Sequence, residues 1–289
     1  MNEDRLHRFL FDGTDVRGEL VHVEHACRKI LAAHNYPAVI ENLLSEFVAA
    51  SVLLGATIKF EGRLVLQARG EGLVSLVMSE VTHDGNVRGI VRHGDLPEDA
   101  GADIRSLLSG GTLAVTIERD NGERYQSLVP LVGETLATCL EGYFQQSEQL
   151  NTRMMLTGEG GQAAGLLIQQ LPPQEVTDAA DRERQWEHLV TLGQTVTSDE
   201  LHSLSPTDLL RRLFAEDRVR LLDSRPLRFD CSCSANRTAQ SLLSIGAQEL
   251  ESLFREMPVV TVDCEFCRTV YEFTRESLTE MVRGSEPEH

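Results

Sequence analysis

The sequence predicts an α+β protein in three parts: an N-terminal mixed α/β domain with a mostly antiparallel sheet, a helical linker, and a small C-terminal domain that carries a cysteine cluster. Three observations lead there. Short runs of alternating apolar and polar residues, separated by turn signals, recur through roughly the first 170 residues. Pro172-Pro173 closes that region, and a charged stretch with helical patterning follows. Four of the six cysteines then fall beyond Leu227. The expected boundaries are 1–174, 175–226 and 227–289.

In order along the chain, "VRGELVHV" (Val16 to Val23) alternates as a strand does. "EHACRKILAAH" and the stretch from Ala38 to Ile58 have helical spacing; their longest apolar run, Phe47 to Ile58, is too short to cross a bilayer and reads as a buried helix. The β runs "RLVLQARG", "LVSLVMSE", "NVRGIVRH", "TLAVTIER" and "RYQSLVPL" come next, the last two flanking an Asn121-Gly122 hairpin turn. Gly70-Glu71-Gly72 precedes a strand, not a helix N-terminus, so it reads as a hairpin turn and not as a phosphate loop. "GETLATCLEGYFQQSEQ" reads as a helix whose end, with Tyr143, Glu148 and Gln149, feeds a further strand pair divided by Gly158, Gly160 and Gly161.

In the linker, Trp186, Leu189 and Val190 lie at i, i+3 and i+4, which makes an apolar stripe. "SPTDLLRRLF" places Ser205 as N-cap, Pro206 at the first helical position and Asp208 as the reciprocal partner of a capping box. Leu209, Leu210, Leu213 and Phe214 form its apolar face. These helices have no core of their own and must pack on something else. Beyond Leu227, "ANRTAQSLLSI" and "AQELESLFREM" read as short helices, and "VVTVDCEFCRTVYEF" as a strand, a cysteine turn and a strand.

Composition narrows the function. Of 289 residues 41% are hydrophobic and 25% charged, as in ordinary globular proteins. A net charge of −18 argues against nucleic acid or an anionic membrane as partner. Lysine occurs only at Lys29 and Lys59, neither after a glycine, which excludes a Walker-type nucleotide loop. "MNEDRLHRFLF" lacks the basic start and apolar stretch of a signal peptide, so a reducing, cytoplasmic setting is expected. There, clustered cysteines mean metal or redox chemistry more often than structural disulfides.

Cys231, Cys233, Cys264 and Cys267 follow the pattern C-x-C-x30-C-x2-C. Two close pairs are what tetrahedral zinc needs, each turn supplying two thiolates; with no histidine between Cys231 and Cys267 the site is expected to be all-thiolate, closed and not hydrolytic. Spacing alone leaves two readings open. One is a plain structural staple for a unit of roughly 60 residues, too small for a large core. The other is a redox switch, since a sulfenic acid on one thiol finds a resolving thiol beside it. Cys27 and Cys139 sit in apolar helices and read as buried, inert thiols.

"RFLFDGTDVRGELV", "NLLSEFVAASVLLGATIKFEG", "GERYQSLVPLVGETLATCLEGYFQQSEQL" and the terminal "CSC…CEFC" together resemble the heat-shock protein 33 (33 kDa chaperonin) family over nearly the whole chain. One position departs, Asn151 in "SEQLNT", where that family would place proline. The resemblance implies an ATP-independent holdase, not an enzyme, which needs no nucleotide. It implies one zinc per chain in a reduced, inactive form. Oxidation would form disulfides Cys231–Cys233 and Cys264–Cys267, release zinc, unfold the linker and expose apolar surface to unfolding client proteins, with homodimer formation open to the oxidised form. Trp186, Leu189, Leu209, Leu213 and Phe214 are the residues expected to be uncovered for clients. The competing readings are an adaptor or regulator with a constitutive zinc ribbon and, third, an enzyme with a catalytic thiol. A ribbon that binds nucleic acid should be basic, whereas "VDCEFCRTV" sets Asp263 and Glu265 beside one Arg268.

Overall fold

A computed structural model describes residues 3–97 and 100–284. The chain forms two compact units, Met1–Asp230 and Cys231–His289. In the first, strands β1 (Arg5–Phe11) and β2 (Val16–Val23) make a hairpin. Helices α1 (His25–Ala32) and α2 (Ala38–Thr57) follow. The N-terminus of α1 is capped from a distance: both carboxylate oxygens of Asp4 accept from Glu24, His25 and Ala26 N–H at 2.6–3.0 Å. Strands β3 (Gly62–Arg69), β4 (Val74–Thr82) and β5 (Asn86–His93), the short helix α3 (Ile104–Leu107), and strands β6 (Thr112–Arg119) and β7 (Arg124–Pro130) come next. Helix α4 (Leu136–Tyr143) runs into a π-helical turn at Phe144–Glu148 and leads to β8 (Thr152–Glu159) and β9 (Gln162–Gln170).

Two six-stranded sheets result. One has the order β10-β1-β2-β9-β8, where β10 (Val219–Leu221) and β11 (Arg225–Pro226) both pair antiparallel with the outer edge of β1. The other has the order β12-β5-β4-β3-β6-β7, antiparallel except for the parallel pairing of β12 (Arg228–Phe229) with β5. Helix α2 lies between them. Its Leu44, Phe47, Leu53 and Leu54 join a continuous core with Val21 and Leu167 of one sheet and Leu64, Leu66 and Val77 of the other. At 20 residues α2 is longer than its greasiest run, and by length and composition it could cross a membrane; most of its surface is instead buried inside the protein.

The expected turns form. Gly122 adopts φ +88° in the β6–β7 hairpin, and residues 70–73 join the β3–β4 hairpin. At the end of the π turn the left-handed residue is Gln149 (φ 55°). Asn151 then pairs with β9: its carbonyl accepts from Gln170 N–H at 2.9 Å and its side-chain amide donates to Gln170 Oε1 at 3.0 Å. The segment is held without a proline.

Helices α5 (Ala179–Gly193), α6 (Ser198–Ser203) and α7 (Pro206–Leu213) cover the face of the first sheet opposite α2. Ser205 caps α7 as expected, accepting from Asp208 N–H at 3.2 Å. The reciprocal half of the box is not made: the Asp208 carboxylate accepts the Ser205 hydroxyl at 2.6 Å. Asp is one methylene shorter than the Glu that would reach back to the N-cap N–H. The strands β10 and β11 were not expected, because the alternation at Arg218-Val219-Arg220-Leu221 is only four residues long and Arg225-Pro226 has none; both pair with the open edge of β1.

The second unit holds α8 (Ala235–Leu243), α9 (Ala247–Glu256), a hairpin of β13 (Val259–Asp263) and β14 (Val270–Thr274), and α10 (Arg275–Gly284). Its fully buried cluster consists of Ala239, Phe273 and Leu278, and α9 buries no residue completely.

Candidate metal centre

Cys264 and Cys267 occupy the turn that joins β13 to β14. That turn is closed by two backbone bonds, Cys264 N–H to Thr269 O (2.9 Å) and Arg268 N–H to Cys264 O (2.8 Å), with Arg268 in the left-handed region at φ 56°. An ion pair from Arg268 to Asp263 (2.6 Å) spans its base. Cys231 and Cys233 lie on the extended chain just before α8. Arg237 reaches back from that helix to donate to Ser232 O at 2.8 Å, and Ser234 caps the helix by accepting from Arg237 N–H at 3.2 Å. Each thiol pair is therefore held by short-range contacts of its own segment.

Packing of α8 against the hairpin brings the pairs together. All four Sγ atoms lie within 4.8 Å of one another. Cys231 and Cys264 sulfurs are 3.7 Å apart, and Cys233 and Cys267 sulfurs 3.4 Å. A tetrahedron with metal–sulfur distances near 2.3 Å has edges of about 3.8 Å, so the four thiols can hold one metal ion. None of the six cysteines is in a disulfide.

Hydrogen bonds from outside the cluster suit thiolates. Tyr271 Oη donates to Cys233 Sγ at 3.1 Å, and Thr269 Oγ1 lies 3.2 Å from Cys267 Sγ. The bond to Cys233 is the main cause that pushes the Tyr271 hydroxyl up to about 12, so it stays a donor at neutral pH. Burial opposes ionisation at Cys267, yet the side chain and backbone of Thr269 and the neighbouring thiols outweigh it and bring this group down to about 7. Burial pushes Cys233 the other way, upward. The pattern is that of a site ready to carry extra negative charge, with partners that orient the ligands. Sequence reasoning missed Tyr271 and Thr269. Thr269 lies in the same turn as Cys267, and Tyr271 on β14, and only the folded hairpin shows that their hydroxyls reach sulfur.

The other two thiols lie in the first unit. Cys27 is buried, lies 3.2 Å from Ser45 Oγ, and is pushed by burial up to about 11. Cys139 is buried and also pushed up by burial.

Trp186, Leu189, Leu209, Leu213 and Phe214 belong to one buried cluster. They meet Phe9, Phe11, Val16 and Leu20 of β1 and β2 and Ala164, Leu166 and Ile168 of β9. The Phe214 ring stands edge-on to Phe11 with centroids 4.8 Å apart. The receiving face includes Gly18, where a Cβ would come within 2.1 Å of the Phe9 ring, and α5 approaches so closely that a Cβ at Gly193 would come within 2.5 Å of Ile168. The linker's entry is tied by Asp15. Its carboxylate accepts from Gln174, Glu175 and Val176 N–H at 2.9–3.2 Å and from the Arg182 guanidinium. Burial works against this charge, but the three N–H donors and Arg182 hold its carboxyl below the usual range.

Over nearly its whole length the chain is similar to known proteins. Residues 4–274 match the family described as Hsp33 protein. A 33 kDa chaperonin of Azotobacter vinelandii is 47% identical over 282 residues, covering 97% of this chain and 95% of that one. One from Pseudomonas aeruginosa is 44% identical over 285 residues, covering 98% and 96%. The crystal structure of the Thermotoga maritima 33 kDa chaperonin (heat shock protein 33 homolog) superposes with a TM-score of 0.83 over 98% of this chain and 99% of that one, at 22% identity, and so shares the fold. With its fold, its four-cysteine cluster and its whole-length likeness taken together, the chain belongs to the Hsp33 family.

Proposed function

We propose that this protein is a redox-regulated, ATP-independent holdase of the cytoplasm, inactive while zinc-bound and reduced. It is not an enzyme and needs no nucleotide. The observation that carries the reading is the meeting of four thiols within 4.8 Å in a unit whose buried cluster, among the described residues, is Ala239, Phe273 and Leu278. Zinc held by Cys231, Cys233, Cys264 and Cys267 would supply the folding energy that this core lacks, ~10–16 kcal/mol in small zinc peptides.

Activation begins at a thiolate. A peroxide oxidises it to a sulfenic acid and is itself reduced to water; the adjacent thiol attacks that sulfur, forming the disulfide and releasing a second water. The pairs are Cys264–Cys267 and Cys231–Cys233. C-x2-C closes with less backbone strain than C-x-C, so the distal pair goes first. Loss of two thiolates leaves too few ligands for the metal, and the second unit unfolds. Cys231 follows β12 by a single residue, so the short strands β10 to β12 lose a folded neighbour in the chain. The linker then leaves its sheet and uncovers Trp186, Leu189, Leu209, Leu213 and Phe214 for unfolding client proteins. Pairing of the oxidised form into a homodimer is compatible with that exposure. Membrane and nucleic acid are not partners, in keeping with the charge of −18.

Zinc content and suppression of client aggregation, measured before and after peroxide with mild heat, test the reading. One zinc lost as holdase activity appears is the expected result. Zinc retained through oxidation, or activity unchanged by it, would favour a constitutive zinc ribbon with an adaptor role.

A further inference from the structure

In this acidic chain one cavity of the first unit is lined by cations and by no carboxylate. It encloses about 370 Å³ and is bounded by Arg8, Arg17, Lys59, His83 and Arg225 together with the last turn of α2. Cavities of that size accept small ligands.

The protein itself accounts for two of the cations. Arg8 Nη2 donates to Ala56 O at 2.9 Å and Arg17 Nη2 to Thr57 O at 3.3 Å, which satisfies the carbonyls at the negative end of α2. Glu19 lies opposite Arg8 in the β1–β2 register. It is buried, its Oε2 has no hydrogen-bond partner, and burial pushes its carboxyl up to about 7 against the pull of Arg17 and Arg8. Near neutral pH it therefore cancels only part of the arginine charge. Lys59 and Arg225 have no such explanation. Among the described residues, neither side chain makes a hydrogen bond or ion pair. Burial and then the Arg8 charge hold the Arg225 guanidinium below its ordinary value, with Asp84 opposing. A half-buried cation beside another cation is destabilising unless an anion joins them.

We propose that this cavity binds a compact oligophosphate through Arg8, Arg17, Lys59 and Arg225. Guanidinium forks match phosphate oxygens, and four positive charges converging on one space call for a ligand with several negative ones. Arg225 gives the site a second consequence. It lies on β11, which pairs with β1 through Leu6 and marks the end of the linker. A ligand held between Arg225 on one side and Arg8 and Arg17 on the other ties β11 to the sheet. It favours the docked linker by mass action. That this would restrain chaperone activation rests on the function proposed above; the binding itself does not.

The test uses the full-length, zinc-loaded protein and pyrophosphate, without divalent cations, in a calorimeter. Saturable one-to-one binding that weakens with salt is expected. Lys59→Gln, at an exposed side chain that should not disturb folding, and Arg225→Gln should each weaken it about tenfold or more. Equal affinity for ATP would assign recognition to the phosphates alone; tighter binding would add the base against Phe60. Pyrophosphate should also slow proteolysis within residues 175–226 of the wild type and have no such effect in Arg225→Gln. Absence of saturable binding at millimolar pyrophosphate in low salt overturns the site, as does undiminished affinity in a folded Lys59→Gln variant. Binding without protection of the linker overturns the link to β11. None of these readouts involves chaperone activity, so failure of the site and failure of the functional reading are separable.

Discussion

Under α5, α6 and α7 the buried apolar cluster comprises fifteen residues, drawn from three strands and three helices. Among the described residues of the second unit the corresponding cluster has three. The first surface is apolar packing, anchored at its entry by Asp15 and capped at α7 by Ser205. The second is a set of short elements gathered around four sulfurs. Apolar packing is graded: it weakens in steps as contacts are lost. Metal ligation is close to all-or-none, since a site that loses one thiolate loses most of its affinity. Under the proposed function, the two joined in one chain make a sharp trigger attached to a surface that can be tuned.

The largest effect should come from the trigger. Cys264→Ser leaves three thiolates and forfeits most of a contribution of ~10–16 kcal/mol. The reduced variant should be cleaved readily beyond Leu227 in limited proteolysis and hold clients in part without oxidant. Resistance equal to that of the wild type would mean that the unit folds on its three-residue cluster, and the contrast drawn above would fail.

Next comes the packed surface. Leu209 and Leu213 are both fully buried, so Leu213→Ala or Leu209→Ala should cost the docked linker ~2–5 kcal/mol. Hydrogen exchange over residues 179–214 should accelerate while zinc content stays the same, and clients should be held at lower oxidant or lower heat. An unchanged threshold would show that the linker is not the gate.

Asp15→Asn removes the charge that accepts three N–H groups and Arg182, for an expected loss of about 1.5–3 kcal/mol at the linker entry. The folded carboxyl titrates below its ordinary value of 3.8. Its stabilisation is therefore complete above that value and disappears as pH falls through the lower folded one. Exchange protection of residues 174–182 in the wild type should thus persist at pH 5, and the variant should lack part of it at every pH above 4 or so.

Ser205→Ala should cost about 1 kcal/mol at the start of α7, read as faster exchange confined to that helix. The smallest effect expected is a drift with mild acid. His202 of α6 faces His22 of β2 with ring centroids 6.3 Å apart. Burial, then His22, lower its pKa from 6.5, against Glu159 and Asp199. The unfolded linker therefore takes up the proton more readily, so docking is at full strength above pH 6.5 and weakens below it. His202→Asn should flatten this profile in an exchange experiment between pH 5.5 and 7.5 or so.

Much of this was legible in one dimension. Val16–Val23 and Ala38–Thr57 formed where the local pattern placed them, but the sequence did not show that β2 is covered on both faces or that α2 is buried nearly all round. Ser205 and Pro206 start α7 as their chemistry requires. The cysteine spacing named the four thiols that converge, since two close pairs of thiols are what one metal ion needs. What could not be read was whatever depends on a partner distant in sequence. The alternation at Val219–Leu221 is too short to mark a strand and Arg225–Pro226 has none; pairing with the edge of β1 makes them strands. Asp4 caps a helix twenty residues away, Asp15 ties down a segment near residue 175, and Tyr271 donates to Cys233 across 38 residues. Four scattered cations meet in one cavity only because β1, β2, the end of α2 and β11 come together. Periodicity and short-range spacing are encoded by neighbours in the chain, so the sequence alone determined most of the elements and which four thiols meet. Burial and long-range pairing belong to the whole fold, and only the tertiary structure could decide which charges are left without partners.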